Sequence, residues 1–161
     1  MVTLTSRSLF AGMAVAAAAA AAVYATGAGN SAGFELKPDD QELVGRGGGI
    51  YAQYCASCHG AALEGEPDWQ SGNPDGTLKA PPHDETGHTW HHADELLFRV
   101  TKFGTAKALD LEDFQSNMPA FEGTLSDADI VAALSWIKAQ WPAEIRERHD
   151  MMNERMRSNR Q

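Results

Sequence analysis

Cysteine is almost missing: the chain of 161 residues holds 2, and both fall within one pentapeptide. A disulfide scaffold is therefore excluded. Alternating apolar and polar runs are missing as well, so no stretch reads as a β-strand. Without strands there is no βαβ setting for a thioredoxin-like thiol pair. No internal repeat is present. Basic charge is scarce, with 13 Lys and Arg against 22 Asp and Glu and a formal net charge of −9. Such a surface speaks against nucleic acid and against anionic membranes as partners. It suits a partner with a basic docking face, steered by charge and weakened by salt, while also serving plain solubility.

Acids are absent before Glu35. Thr3 to Ser8 form a short polar start with one base, Arg7, followed by an apolar, alanine-rich run from Leu9 to Ala25. Small residues at Ala25 and Ala28 offer cleavage points. Residues 1–25 thus read as a secretory signal. The alternative is an uncleaved anchor, since the run reaches the lower limit of the roughly 17–25 residues a spanning helix needs. Both readings carry the body of the protein out of the cytoplasm, and a membrane contact follows only if the segment is kept.

Cys55-Ala56-Ser57-Cys58-His59 concentrates the chemistry. Two thiols separated by two residues and followed at once by histidine form the attachment signature of a c-type haem. Each thiol can add to one vinyl group, and the turn between them places the imidazole beneath the iron. A competing reading joins Cys55 and Cys58 to His88 and to His91 or His92 around zinc.

The flanks read as helices and loops. Residues 26–38 are rich in small residues and form a flexible leader. Pro38-Asp39-Asp40 starts a helix expected to run to Tyr54 and deliver Cys55. Gly45, Gly47, Gly48 and Gly49 lie inside it, each costing about 1 kcal/mol against Ala. Close approach of another helix would account for them; otherwise the helix begins only at Ile50. Residues 60–92 carry many Gly and Pro and little periodicity, and a loop of that length is uncommon without a function. A large flat cofactor supplies one, as the core around which the loop wraps. A helix over about 93–103 has Leu96, Leu97, Val100 and Phe103 as its apolar face and closes at Gly104. Ser126-Asp127-Ala128-Asp129 caps a helix to about Gln140 with Ile130, Leu134 and Ile137 inward. Pro142 opens a last helix to about Met156, with Ile145, His149, Met152 and Met156 as a stripe expected to pack on its own domain.

These residues resemble the class I, mitochondrial-like mono-haem cytochromes c of the bacterial periplasmic type, over about Gly47 to Trp141. Gly47 and Tyr51 resemble that family's first-helix glycine and aromatic, which meet an aromatic of the last helix; Trp136 is the matching residue. Cys55, Cys58 and His59 match its haem-binding pentad. Ala80-Pro81-Pro82 resembles the loop whose proline carbonyl receives the proximal imidazole N–H, and Met118-Pro119 its distal Met-Pro loop. The stretches Ala80-Pro81-Pro82-His83-Asp84, Gly87-His88-Thr89-Trp90-His91-His92 and Trp141-Pro142-Ala143-Glu144-Ile145-Arg146 resemble a periplasmic subgroup.

The resemblance implies an all-α class I cytochrome c fold, about three main helices plus short ones and long loops around one covalent haem c. The cytochrome domain is expected over 39–141, with a helical extension over 142–161. His59 is the expected proximal ligand, held by the carbonyl of Pro81 or Pro82, and Met118 the distal one. Trp69 and Trp90 are candidates to donate indole N–H bonds to the propionates or to cover the haem edge. The implied function is one-electron transfer between redox proteins in the periplasm, by a carrier that is not an enzyme. Its rivals are a membrane-anchored haem subunit of an oxidoreductase complex and a gas sensor in which Met118 is displaced. His83, His88, His91 and His92 are read as a histidine loop at the haem edge rather than a second metal site.

Overall fold

The computed structural model describes residues 34–159, and the expected signal segment 1–25 lies outside them. The described residues form six α-helices and no strand: α1 (Gln41–Tyr54), α2 (Ala56–His59), α3 (Asp94–Phe103), α4 (Thr105–Ala108), α5 (Asp127–Gln140) and α6 (Ala143–Ser158). A 3-10 turn covers Thr89–His91. The fold is the all-α arrangement of a cytochrome c domain.

Local chemistry places the helix ends. The Asp40 carboxylate accepts from the Leu43 N–H at 3.0 Å and caps α1. Ser126 and Asp129 form a reciprocal capping box at the start of α5, which satisfies two otherwise orphaned donors. Pro142 precedes α6, where its missing N–H costs nothing.

α1 runs unbroken through its four glycines, so it does not begin at Ile50. α1 and α5 make the most extensive helix contact in the fold. At their crossing the rings of Tyr51 and Trp136 lie 4.6 Å apart. Ile130, Leu134 and Ile137 face inward from α5, with Tyr51, Phe98, Phe121 and Trp141 in the same core. Burying one such side chain contributes on the order of 1.5–3 kcal/mol.

Two expectations need correction. Phe98, outside the expected Leu96–Leu97–Val100–Phe103 face, is the fully buried apolar residue of α3, while that face is half-buried and Leu97 packs against the same core. Its ring stacks on Phe34 at 3.6 Å, so the segment before α1 covers a side of α3 that periodicity assigns to solvent. The described part of the expected flexible leader, residues 34–38, is held in place. Leu36 is buried and its N–H donates to Asp94 Oδ2 at 3.0 Å, while the Lys37 N–H donates to Ser135 Oγ at 3.0 Å.

The last helix packs on the domain through Ile145, His149 and Asn153. Met152 is half-buried and Met156 is largely exposed, so Asn153 takes the place of a methionine in the buried stripe.

Candidate haem site

The N–H of Cys55 closes onto Tyr51 at the end of α1, and the single turn of α2 begins immediately after it. That junction leaves Cys55 half-buried and Cys58 exposed. His59 ends α2 and is buried. Gly60 follows with φ +81° and releases the chain into the long loop, a conformation glycine adopts without strain.

The loop then folds back over His59. Gly65 N–H donates to the His59 carbonyl at 2.8 Å, Glu66 N–H to Ala80 at 2.9 Å, and His83 N–H to Leu63 at 2.8 Å. Gly65 permits this approach: a Cβ there would lie 2.5 Å from the nitrogen of Pro82. The result is one defined contact on the imidazole. His59 Nδ1 lies 2.9 Å from the carbonyl oxygen of Pro81. A carbonyl only accepts, so Nδ1 carries the proton. Burial lowers the pKa of His59, opposed by that carbonyl and by Glu66. The neutral ring therefore offers Nε2 as its free lone pair, the form in which imidazole binds a metal.

The carbonyl in question belongs to Pro81. Pro82, the other candidate, is buried one residue further on, and its oxygen lies 3.5 Å from the Thr89 hydroxyl.

Met118 is half-buried and packs against the same core as Tyr54, Cys55, Trp90 and Leu97. Its backbone N–H donates to Ser116 Oγ at 3.1 Å, and neighbouring Asn117 donates to Thr77 Oγ1 at 2.9 Å. Trp90 stacks on His91 at 3.7 Å, and its indole N–H donates to the Glu85 carbonyl at 3.3 Å, so that proton is already committed within the loop. Trp69 stacks on His88 at 5.3 Å, away from that core.

The four loop histidines do not act alike. His88 and His92 meet edge to face at 5.3 Å, and burial lowers both pKa values. His83 instead lies on His59 itself. The loop has no period from which to assign faces, so nothing along the chain distinguishes them. Among the described residues no three His, Cys, Asp or Glu come together to hold a metal ion. The zinc set of Cys55 and Cys58 with the later histidines is thus not assembled.

The donor set fits haem. A paired-thiol turn, a buried imidazole with one nitrogen engaged and one bare, and a half-buried thioether in a shared apolar core are what a covalently held porphyrin requires. The helices and this site together define a c-type cytochrome. Over residues 42–137 the chain matches the family described as cytochrome c oxidase, cbb3-type, subunit III. The chain belongs to that family, a class I-like mono-haem cytochrome c family, and its cofactor is covalently bound haem c used in electron transfer. No curated protein and no solved structure matches it.

Proposed function

We propose that this protein is a periplasmic one-electron carrier, with haem c joined to Cys55 and Cys58 and with His59 and Met118 as its axial ligands. The observation that carries the reading is the 2.9 Å contact between His59 Nδ1 and the Pro81 carbonyl. It holds the imidazole in the tautomer a proximal ligand needs and pins one edge of the ring.

Bound haem supplies the one-electron couple. His59 contributes a neutral nitrogen donor of raised basicity, because its other nitrogen donates to Pro81. Met118 contributes a soft, neutral sulfur, which favours ferrous iron and raises the potential. Two protein ligands leave no open position for substrate, which is why a carrier is favoured over an enzyme. The net charge of −9 favours redox partners with a basic docking face.

One observation favours a second reading. The matched family is described as a subunit of a cbb3-type oxidase, which suits a haem subunit anchored through residues 1–25. No described helix is long and apolar enough to cross a membrane, so the two readings divide on the N-terminal segment. An intact mass of the exported protein separates them: loss of about the first 25 residues supports the free carrier.

An optical and redox titration of the purified protein tests the ligand set. An oxidised low-spin spectrum with the near-infrared methionine–iron band, lost in Met118→Ala, is expected, and CO added to the reduced wild type is expected to leave its spectrum unchanged. CO binding to the wild type would overturn the closed site in favour of a gas sensor. A colourless protein would overturn the reading altogether.

A further inference from the structure

His83 is the one loop histidine built into the proximal side. Its ring lies nearly flat on His59, with centroids 4.0 Å apart and planes 21° from parallel. It is fixed from several directions. Its N–H donates to Leu63 and its carbonyl accepts from the Trp141 indole N–H at 2.7 Å. Its Nδ1 lies 2.7 Å from the hydroxyl of Thr89, which is itself buried. That hydroxyl is also 3.5 Å from the Pro82 carbonyl. One proton arrangement serves both contacts: Nδ1–H donates to Thr89 Oγ1, and the hydroxyl donates to Pro82. On the remaining side the Tyr51 ring meets His83 edge-on at 6.3 Å. Gly87 lets the turn close, since a Cβ there would lie 2.0 Å from the Pro82 oxygen.

The Pro81 contact alone does not settle the imidazole plane. A single hydrogen bond at Nδ1 fixes one edge of the ring and leaves it free to rock about the N–H···O line. A flat, anchored neighbour at van der Waals distance removes that freedom. Resting on the reading of His59 as proximal ligand, we propose that His83 is a positioning residue: Pro81 holds one edge of His59, and the His83 ring holds one face, fixing the plane the imidazole presents to the haem. Partners of this kind orient the metal's direct ligands. Trp141 at the α5 end holds the His83 backbone, and Tyr51 from the α1–α5 crossing meets its ring edge, so both helices help to seat it.

The test uses full-length protein matured with haem. In a low-spin ferric haem the orientation of the ligand plane sets the anisotropy of the g values and the spread of the haem-methyl proton shifts. His83→Ala is expected to broaden the EPR lines and redistribute the haem-methyl shifts. His83→Phe, which keeps a flat ring in place, is expected to return both close to the wild-type pattern. His83→Ala spectra superimposable on the wild type would overturn the proposal. If the alanine variant yields no holoprotein, His83→Gln decides in its place, because it keeps polar volume but no ring; a wild-type pattern there overturns the proposal equally. His59→Gly separates the two layers. A wild-type low-spin spectrum in that variant would remove the proximal assignment, and the role of His83 with it. A changed spectrum there, beside an unchanged His83→Ala, would remove only the role of His83.

Discussion

Gly47 and Ala132 are in such close contact that a Cβ on the glycine would sit 2.0 Å from the alanine's carbonyl oxygen. The obstacle is backbone on a packed helix, so nothing flexible can yield. Gly47→Ala should therefore force α1 and α5 apart and cost about 1–3 kcal/mol or more. Gly45 and Gly49 have nothing within 4 Å of the same added atom. At those positions alanine should stabilise the helix by about 0.5–1 kcal/mol. Urea unfolding of the three variants gives opposite signs if the crossing is as close as described; three similar values would refute it.

His149 on α6 is fully buried. Its Nε2–H donates to the His92 carbonyl at 2.9 Å, and Asp94 Oδ1 lies 3.5 Å away. Asp94 is shared with Leu36 and Asn153, and Lys138 stands beside the group, paired with Asp150. Burial, then Lys138, lowers the His149 pKa, against the opposing pull of Asp94, the His92 carbonyl and Asp150. The unfolded chain takes up this proton near pH 6.5 while the folded chain still refuses it. Stability should thus be flat in this group above about pH 6.5 and fall below it, by up to ~1.4 kcal/mol per pH unit. Denaturation at pH 7.5 and 5.5 should show a smaller acid loss in His149→Gln; equal losses would exclude the assignment.

The two thiols should differ sharply in protein made without haem. Burial, then the neighbouring Cys58, pushes the Cys55 thiol up to about 11, so at pH 8 roughly one molecule in a thousand carries its thiolate. Cys58 is exposed. Brief alkylation followed by peptide mapping should label Cys58 first and Cys55 slowly. In the mature protein neither should label, because both sulfurs are joined to haem. Equal labelling of the two in the haem-free form would contradict the burial.

Electron exchange with a small basic redox protein should slow as salt is raised. At 0.01 M ionic strength charges act over about 30 Å, and at 0.15 M over about 8 Å. A fall of tenfold or more in the second-order rate is expected over that range, with the opposite trend for an acidic partner. Stopped-flow rates that ignore salt would remove charge steering from the account.

Much of the fold could be read along the chain because its signals are local. Asp40, Ser126 with Asp129, and Pro142 mark helix starts through bonds made within three residues. The inward set of Ile130, Leu134 and Ile137 follows from helical period. Other features were illegible for a physical reason. Nothing in the sequence tells Gly47 from Gly45, since the difference is the backbone of a helix some 85 positions later. Phe98 gave no amphipathic signal because the segment carrying Phe34 covers a face that period alone leaves to water. Asn153, a polar residue amid a charged helix, had no mark of burial until Asp94 met it.

The thiol spacing and the histidine beside it pointed to the cofactor, because thioether attachment and iron ligation need donors a fixed few atoms apart on one turn. Distances of that kind are properties of the backbone itself. Which proline carbonyl meets the imidazole, and which of four histidines lies against it, depended on how a loop of some thirty residues closes. That closure is governed by Gly65, Gly87, Thr89 and Trp141 acting across the fold, and contacts between residues far apart in the chain leave no pattern in the order of its residues.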